Sequence, residues 1–490
     1  MDSIRFKNYR CFSDTGNLEI KPLNFLVGAN SSGKSSVLKF FPLLKQSAGQ
    51  RLNGVFSWLG EDVDFKDFKN VIKDGEKELW IEFGIKKLNI IKLYRRINVD
   101  GLSDVSVRLR IVSLEEHFDR IDYYAVTLSD GTCLEFFIDK NNKTKIHIDE
   151  EDQAISSKEI IEAINTNSIF PRFDIRNSKV GGIENTIQNE FLNILNSVLS
   201  KTSIEPIRRS HILAMFPVER IEMIKRIENI LKCSLPQELI DRLYKLSLLY
   251  SVNTLMDSLN LNIISISDNI TYIKPLRSIM ERYYRFQNYA INSIDSDGKN
   301  LPMFLYNQPN DVQILFRKWM KSMFDIEVFA EPHDGHVEMM ISCKNGTKRN
   351  LVDMGFGFTQ MLPILALIWN GVFLRDEMKN NYIKGVRDER IIVIEQPELH
   401  LHPRFQSKFA KMLISLISDC KSKQIDVRFI IETHSETILN EIGSSIAGSE
   451  FNREDVNVFM FVSDDKQESH ICCSSYNKDG FLNDWPVDFF

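Results

Sequence analysis

The sequence predicts an α/β fold: a phosphate-binding loop on a buried parallel sheet, with an antiparallel β region and an inserted α-helical domain. Three observations predict it. The motif G-x-x-x-x-G-K-S at 28–35 directly follows the apolar run 23–27. Alternating apolar and polar residues recur between 79 and 138, separated by turn dipeptides. The apolar runs at 390–394 and 428–431 are typical of strands buried on both faces.

The loop at 28–35 defines a ligand class. Its glycines let backbone N–H groups converge on phosphate oxygens, Lys34 supplies a positive charge for the β- and γ-phosphates, and the Ser35 hydroxyl can bind a metal ion. The alternative is a turn rich in Gly and Ser, which the preceding strand and the following helical pattern disfavour. We therefore expect ATP or another nucleoside triphosphate, together with Mg²⁺.

Length and composition exclude several classes of protein. A chain of 490 residues exceeds one hydrophobic core, so two or three domains, or one domain with a large insertion, are expected. The net charge is −6, whereas a protein dedicated to coating nucleic acid would carry an excess of basic residues. No run reaches the roughly 18 uninterrupted apolar residues of a membrane span, and the charged residues near the start do not resemble a signal region. We expect a cytoplasmic location and no membrane contact.

Changes in periodicity divide the chain into three parts. Residues 1–156 are predicted to form an N-terminal lobe with the phosphate loop and the antiparallel region. Residues 157–270 change to helical spacing, beginning at 160–164, and their prolines disfavour a long coiled coil. Residues 271–490 return to α/β character, with helices expected at 311–324, 361–369 and 405–418 and alternating strands over 327–341.

Three motifs in the last part carry polar residues at the ends of predicted elements. The strand 391–395 ends in Glu395, which places a carboxylate where it can face Mg²⁺, and continues into Q-P-E-L-H-L-H-P at 396–403. The strand at 428–431 runs into E-T-H-S at 432–435. Upstream, D-M-G-F-G-F-T-Q at 353–360 precedes a helix and offers a second anion-binding amino terminus.

This ordered set resembles the ABC-type ATPases of the SMC, RecF and OLD group. It is most similar to prokaryotic stand-alone ATPases with the string E-Q-P-E-L-H-L-H-P and a terminal W-P-x-x-F-F, here at 485–490. The resemblance covers residues 1 to about 75 and about 270 to 490, and it implies an ABC-ATPase head. Several such ATPases serve in antiphage defence, in Septu, retron and PARIS systems whose nuclease is a separate polypeptide.

The resemblance implies roles by position. The Walker A loop would bind ATP through Asn30, Ser31, Ser32, Gly33, Lys34, Ser35 and Ser36. Glu395 would replace the usual Walker B aspartate and reach the Mg²⁺ that Ser35 binds, either directly or through water. The signature motif, with Gly357, Thr359 and Gln360, would contact the γ-phosphate bound by the opposite subunit, so that two chains sandwich two nucleotides. Residues 397–402 match the D-loop, His434 matches the switch histidine, and Arg10 matches an N-terminal arginine of the group.

Two positions depart from the family pattern. Gln396 occupies the position of the catalytic glutamate; it can orient a water molecule but has no basic carboxylate to accept its proton. We therefore expect slow hydrolysis, with ATP acting mainly as a dimer clamp, although Glu398 could supply a base. The second departure is the Q-loop, which has no clear match in the sequence; Gln46 and the stretch 63–68 are weak candidates.

Histidines at 400 and 402 could hold a metal, but no cysteine or third histidine lies near them in sequence, so an interface or packing role is favoured. Taken alone, His434 would be interpreted as a core histidine. Taken alone, Thr359 and Gln360 would be interpreted as an ordinary helix start. Their motif context favours phosphate contacts.

Four functions are compatible with an ABC-type head. The favoured one is a regulatory ATPase that forms an ATP-sandwiched homo-oligomer, controls a separate nuclease subunit of HNH or Toprim type, and responds to a phage-derived trigger. The alternative is a DNA-repair or DNA-binding ATPase like RecF or SMC, with a local nucleic-acid groove. A self-contained OLD-type nuclease is disfavoured because few residues follow His434. The absence of an LSGGQ string and the large insertion disfavour a transporter subunit.

Overall fold

In the computed structural model the described residues are 1–48, 52, 54–91, 98–114, 118–149, 151–152, 161–164, 169–170, 172–173, 183–198, 220–231, 234–286, 291, 293–342, 346–374, 388–463 and 468–484. The strands in chain order are β1 (Ser3–Tyr9), β2 (Phe12–Asp14), β3 (Leu18–Glu19), β4 (Leu23–Gly28), β5 (Glu78–Ile91), β6 (Asn98–Ser113), β7 (Asp119–Leu128), β8 (Cys133–Ile138), β9 (Lys143–Ile148), β10 (Glu151–Asp152), β11 (Ile161–Ile164), β12 (Arg172–Phe173), β13 (Ile270–Ile273), β14 (Tyr284–Arg285), β15 (Glu327–His333), β16 (His336–Ser342), β17 (Lys348–Asn350), β18 (Glu389–Glu395), β19 (Asp426–Glu432), β20 (Val456–Ser463) and β21 (Ser469–Ser474).

The described α-helices are α1 (Lys34–Leu38), α2 (Phe40–Ser47), α3 (Ile183–Val198), α4 (Arg220–Leu231), α5 (Gln237–Asp268), α6 (Leu301–Asn307), α7 (Asn310–Phe324), α8 (Phe356–Trp369), α9 (Pro403–Ser422) and α10 (Glu436–Ala447). The helix expected directly after the phosphate loop is thus two short helices, α1 and α2, joined at Lys39.

The phosphate-loop strand β4 lies inside a six-stranded sheet with the order β13-β18-β19-β4-β20-β21. The first five strands are parallel, and β21 pairs antiparallel with β20 at the edge. Every residue of β4 and of β18 is buried. Such strands need helices on both faces, which α1, α2, α5, α8 and α9 provide by contacts with strands of this sheet. The predicted parallel α/β core is confirmed.

The register of this sheet brings its acidic strand ends together. Glu395 on β18 lies opposite Glu432 on β19, and Glu432 lies opposite Leu26 on β4, two residues before the phosphate loop begins at Gly28. Since parallel strands share one carboxyl edge, the loop and both carboxylates occupy the same edge of the sheet.

The antiparallel region is also confirmed, as a sheet with the order β12-β11-β9-β8-β7-β6-β5-β1-β2 and with β3 and β10 at its sides. The helical start expected at 160–164 is wrong: Ile161–Ile164 is strand β11, paired with β9. Isoleucines at this spacing fit a short strand as well as a helix turn, and the open edge of β9 decides between them. The predicted helical region is described from Ile183 onward.

The helices of this region do not form a separate core. The long helix α5 packs against β5, and its buried side chains Leu243 and Leu259 belong to the same hydrophobic cluster as Phe83 of β5. The described helices of this region therefore pack on the antiparallel sheet and share its hydrophobic core.

A third, small sheet with the order β14-β16-β15, in which β17 pairs with β16, completes the described part of the C-terminal lobe. It packs with α6 and α7. The apolar helix α8 is buried, as predicted. The stretch Gly357–Leu374 is long and apolar enough to cross a membrane by length and composition, yet 83% of it is buried inside the protein, as in a core helix.

A buried ion network joins the first residues of the chain to the amino edge of the parallel sheet. Arg428 of β19 donates to Asp2 Oδ1 at 2.7 Å and to the Ile20 carbonyl at 3.2 Å, and its Nε lies 3.3 Å from Glu389 Oε1 of β18. These side chains are nearly inaccessible. Because an unpaired buried charge is costly, the network holds β1, β18 and β19 together.

Candidate functional site

The phosphate loop connects β4 to α1 by a backbone that two glycines make possible. Gly28 has φ 147°, and a Cβ there would lie 2.3 Å from the carbonyl oxygen of Phe461 on β20. Gly33 has φ 98° and precedes α1; its Cβ would lie 2.4 Å from the ring of Phe12. No other residue type fits either position without displacing its neighbour. The loop is therefore shaped by packing from β2 and β20.

Lys34 lies inside this loop. Its side chain is 3% exposed, and Nζ donates to the carbonyls of Gly28 and Ala29 at 2.8 Å each. Burial lowers the pKa of the Lys34 ammonium, and the nearby carboxylates of Glu432 and Glu398 oppose that shift. The ammonium thus lies at the centre of the loop, where it can exchange carbonyl contacts for phosphate oxygens.

The remaining loop residues differ in how far their side chains are exposed to solvent. Asn30 and Ser31 are exposed, and Ser31 has a left-handed φ of 66°. Ser32 is 1% exposed, and its hydroxyl has no hydrogen-bond partner among the described residues. Ser36 is half-buried, and its carbonyl accepts from the Tyr9 hydroxyl at 2.7 Å. A buried hydroxyl without a partner in a phosphate-type loop fits the binding of an oxyanion there.

The Ser35 hydroxyl meets a carboxylate that sequence reasoning did not select. Ser35 Oγ donates to Glu432 Oε2 at 2.8 Å. Burial raises the pKa of Glu432, an effect that the neighbouring Glu395 carboxylate adds to and the Ser35 hydrogen bond opposes. The criterion that selected Glu395, an acidic residue at the end of an apolar strand, also applies to Glu432.

Glu395 is buried and held by Tyr272 of β13 and by Arg277, which follows that strand. Its Oε1 accepts from the Tyr272 hydroxyl at 2.6 Å. Arg277 Nη2 donates to the carbonyls of Glu395 at 2.9 Å and Gln396 at 3.2 Å. Burial lowers the pKa of Arg277 to about 10. Sequence reasoning assigned no role to Tyr272 or Arg277, which position the end of β18.

Gln396 adopts a left-handed backbone with φ 43°, uncommon for a residue other than glycine. Its amide donates to the Glu432 carbonyl at 2.8 Å, so the chain turns sharply after β18 while staying paired to β19. Backbone strain of this kind costs on the order of 1–3 kcal/mol and concentrates at functional sites. The turn leaves Gln396 half-buried at the carboxyl edge of the sheet.

Glu398 connects this turn to the end of β19. Its Oε2 accepts from the Thr433 hydroxyl at 2.8 Å, and its Oε1 accepts from the backbone amide of His434 at 2.7 Å. The carboxylate suggested as a spare base therefore has both oxygens engaged, and it fixes the position of His434.

His434 is half-buried, and its Nε2 is buried with no hydrogen-bond partner in the part of the chain that the structure describes. Burial lowers the pKa of the imidazole, the Lys34 ammonium lowers it further, and Glu398 opposes both. A ring nitrogen left unpaired beside Lys34 fits a contact with a ligand oxygen.

The signature-like segment lies against the loop that follows Gln396. A Cβ on Gly357 would be 3.1 Å from the His400 carbonyl. Thr359 and Gln360 are 6% and 4% exposed, so in this conformation neither side chain lies at the surface. The accessible part of the segment is instead its start, where Gly355 is exposed with φ 92°.

Arg10 is exposed beside the phosphate loop. It has φ 54°, its Nη1 donates to the Asn70 carbonyl at 2.5 Å, and its guanidinium lies 5.4 Å from the Phe65 ring centroid. The adjacent Cys11 and Phe12 pack on Gly33. Arg10 is thus near the loop, with part of its hydrogen-bonding capacity committed to the segment 65–70.

Gln46, one candidate for the Q-loop, has a structural role. Its Nε2 donates to the carbonyls of Ser57 and Val63 at 2.5 and 3.0 Å, and its Oε1 accepts from the Val63 amide at 3.0 Å. The side-chain amide is therefore used to fold the loop 57–63.

His402 caps α9: its Nδ1 accepts from the Arg404 amide at 3.2 Å. Within the described ranges no group of three or more His, Cys, Asp or Glu side chains could hold a metal ion. The residues that fit Mg²⁺ are instead Ser35, Glu395 and Glu432, a donor set that leaves positions for phosphate and water oxygens.

A family model for the AAA ATPase domain matches residues 1–439. The chain belongs to this family. The match includes the phosphate loop, both acidic strand ends and His434. The chain is accordingly an ATPase of this type, and the family implies nucleotide binding.

Two curated relatives of this AAA ATPase match shorter segments. Endonuclease GajA from Bacillus cereus (strain HuB5-5) is 26% identical over 187 residues, which are 38% of this chain and 23% of that protein. The Retron Vc95 probable ATPase from Vibrio cholerae serotype O1 biovar El Tor is 21% identical over 141 residues, 29% of this chain and 25% of that protein. The match thus spans about a quarter of the length of either relative.

Among solved structures, the SMC head domain from Thermotoga maritima aligns over 96% of this chain and 97% of that chain, with 9% identity and a TM-score of 0.36. The Smc head domain with an extended coiled coil from Pyrococcus furiosus, bound to the C-terminal domain of ScpA, aligns over 97% and 96%, with 11% identity and a TM-score of 0.36.

The environment of His434 predicts its titration. We expect its pKa in the nucleotide-free protein to lie below the ordinary value of about 6.5, because burial and Lys34 both disfavour the imidazolium. The measurement is a pH titration of the histidine Cε1–H signals by NMR, in which the signal missing from His434→Gln identifies the residue. A signal that titrates at or above the ordinary value would contradict the described burial.

Proposed function

We propose that this AAA ATPase is a regulatory ATPase of an antiphage defence system, in which bound ATP assembles the chain into a homo-oligomer that controls a separate nuclease. The observation that supports the proposal is that Lys34, Ser35, Glu432 and His434 lie at one sheet edge, linked by the Ser35–Glu432 hydrogen bond and by electrostatic interactions among residues far apart in sequence. Such an edge suits a nucleotide whose γ-phosphate is monitored.

Assembly through a nucleotide sandwich is supported by the surface beside the signature-like segment. Gly355, the residue before α8, and Val352, in the 3-10 helix Leu351–Met354 that precedes it, are exposed. The start of α8 is one of the helix amino termini that attract anions. A second chain that presented this surface to the phosphate loop would complete the site. Thr359 and Gln360, which are buried, would then act indirectly through the residues that cover them, or directly after a shift of α8.

Hydrolysis is proposed to be slow. Gln396 has no carboxylate to accept a proton from water, and both oxygens of Glu398 are engaged by Thr433 and His434. Residues at the site would thus bind and sense ATP more effectively than they promote its cleavage. The expected result is an assembly that persists while ATP is bound.

Control of a nuclease in trans rests on the sequence resemblance to defence ATPases and on the names of the two curated relatives, an endonuclease and a retron ATPase. Each of these relatives matches this chain over about a quarter of its own length. The phage-derived trigger and the type of nuclease, HNH or Toprim, belong to the same proposal. The alternative proposal is that the chain binds DNA in the manner of RecF or SMC proteins.

ATP-dependent assembly is tested by the mass of the purified protein with and without ATP and Mg²⁺, measured by light scattering after gel filtration. ATP should raise the mass to at least that of two chains. Lys34→Ala should abolish ATP binding and assembly, because the only charge inside the loop is removed. Val352→Arg, at an exposed position, should still bind ATP but assemble at least about tenfold less tightly.

The matched control is Ile314→Arg, which introduces the same charge at an exposed apolar position on α7 and should behave like the wild type. Assembly by Lys34→Ala at the wild-type level would refute the role of ATP. Equal assembly by Val352→Arg and Ile314→Arg would place the interface elsewhere.

Turnover is tested by steady-state phosphate release. The wild type should turn over well below about 1 s⁻¹, and Gln396→Glu should raise the rate by about tenfold or more because it supplies a base without changing side-chain size. Lys34→Ala sets the background. Brisk wild-type hydrolysis, or no gain in Gln396→Glu, would contradict the proposed effect of Gln396.

The nuclease partner is tested by purifying a tagged chain that is expressed together with its neighbouring genes. A copurifying polypeptide that cleaves DNA or RNA, identified by mass spectrometry, is expected. A chain that purifies alone and binds duplex DNA tightly at physiological salt would favour the DNA-repair alternative.

A further inference from the structure

The two acidic strand ends differ in their distance from the phosphate loop. In the sheet order, β19 is the immediate neighbour of β4, and β18 is one strand further away. Neighbouring strands are about 4.8 Å apart. Glu432 therefore begins one strand spacing closer to the loop than Glu395, the residue chosen from the sequence.

The two carboxylates also differ in their partners. Glu432 Oε2 accepts from the Ser35 hydroxyl at 2.8 Å, and Ser35 is the loop residue whose hydroxyl binds the metal in phosphate-loop proteins. Glu395 Oε1 instead accepts from the Tyr272 hydroxyl at 2.6 Å, on the side of β13. The metal-binding hydroxyl is thus directed to Glu432.

A cation fits the charge balance of this edge. Glu395 and Glu432 are 6% and 5% exposed and lie side by side in register. Two buried like charges are unfavourable without a counter-charge. Lys34 supplies one positive charge, which a triphosphate would offset. The buried Ser32 hydroxyl, 1% exposed and without a partner, independently indicates that a polar ligand belongs in the loop.

We infer that Glu432 is a direct ligand of the Mg²⁺ that accompanies ATP and shares the ion with the Ser35 hydroxyl. Glu395 does not touch the ion directly and is oriented by Tyr272. Mg²⁺ typically takes one or two carboxylates together with phosphate and water oxygens, and this pair matches that pattern. The inference rests on the proposed function, since it requires that the loop bind ATP.

The experiment measures how strongly the metal enhances nucleotide binding. Binding of a fluorescent ATP analogue is titrated in EDTA and in saturating MgCl₂, and the ratio of the two dissociation constants gives the enhancement. Glu432→Gln should lower this ratio by about tenfold or more, with binding in EDTA unchanged or tighter because a negative charge near the phosphates is removed. Glu395→Gln should lower the ratio less.

Two further variants make the result specific. Glu432→Asp keeps the charge and should restore part of the enhancement that Glu432→Gln loses. Glu441→Gln is the matched control, because Glu441 also accepts from a serine hydroxyl, Ser407 at 2.6 Å, but between α9 and α10. It should bind like the wild type in both conditions. Binding in EDTA shows in each case that the variant has folded.

The outcomes separate this inference from the proposed function. If Glu432→Gln retains the wild-type enhancement, or if Glu395→Gln loses more of it than Glu432→Gln, the assignment of Glu432 is overturned while ATP binding stands. If the wild type binds no ATP in either condition, the proposed function fails and this inference fails with it.

Discussion

The structure depends on the pairing of one early strand with two late ones. β4 lies between β19 and β20, and all of its side chains are buried, so it has no stable place outside this sheet. The phosphate loop begins at the carboxyl end of β4, and the Phe461 carbonyl on β20 approaches Gly28 too closely for any side chain there. The shape of the loop is therefore set by residues from the opposite end of the chain.

The same pairing determines the electrostatics of the site. Parallel register places Glu395 and Glu432 next to each other, and the Gln396 amide, which donates to the Glu432 carbonyl, keeps the two strand ends paired. Two carboxylates, one buried ammonium and one unpaired imidazole nitrogen are thus concentrated where the sheet ends. A ligand that carries both phosphate and a divalent cation relieves this arrangement more fully than either one alone.

Much of the fold and half of the site could be predicted from the sequence. The phosphate loop, Glu395 and His434 lie in local motifs, and the apolar strands and helix α8 follow from periodicity. Glu432 met the same criterion as Glu395, but which of the two strands neighbours β4 depends on long-range pairing. Isoleucines at 161 and 164 fit helix and strand alike, and β9 decides. Tyr272 and Arg277 act through contacts across more than a hundred residues, which no local pattern encodes.

Long-range pairing of β4 also has a consequence for biosynthesis. During synthesis the loop residues precede the strands that shape them, β19 and β20, by more than 390 positions. Until then β4 is an apolar strand with two open edges, the kind of segment that pairs with other chains. The phosphate loop consequently takes its shape only after β19 and β20 have been synthesised.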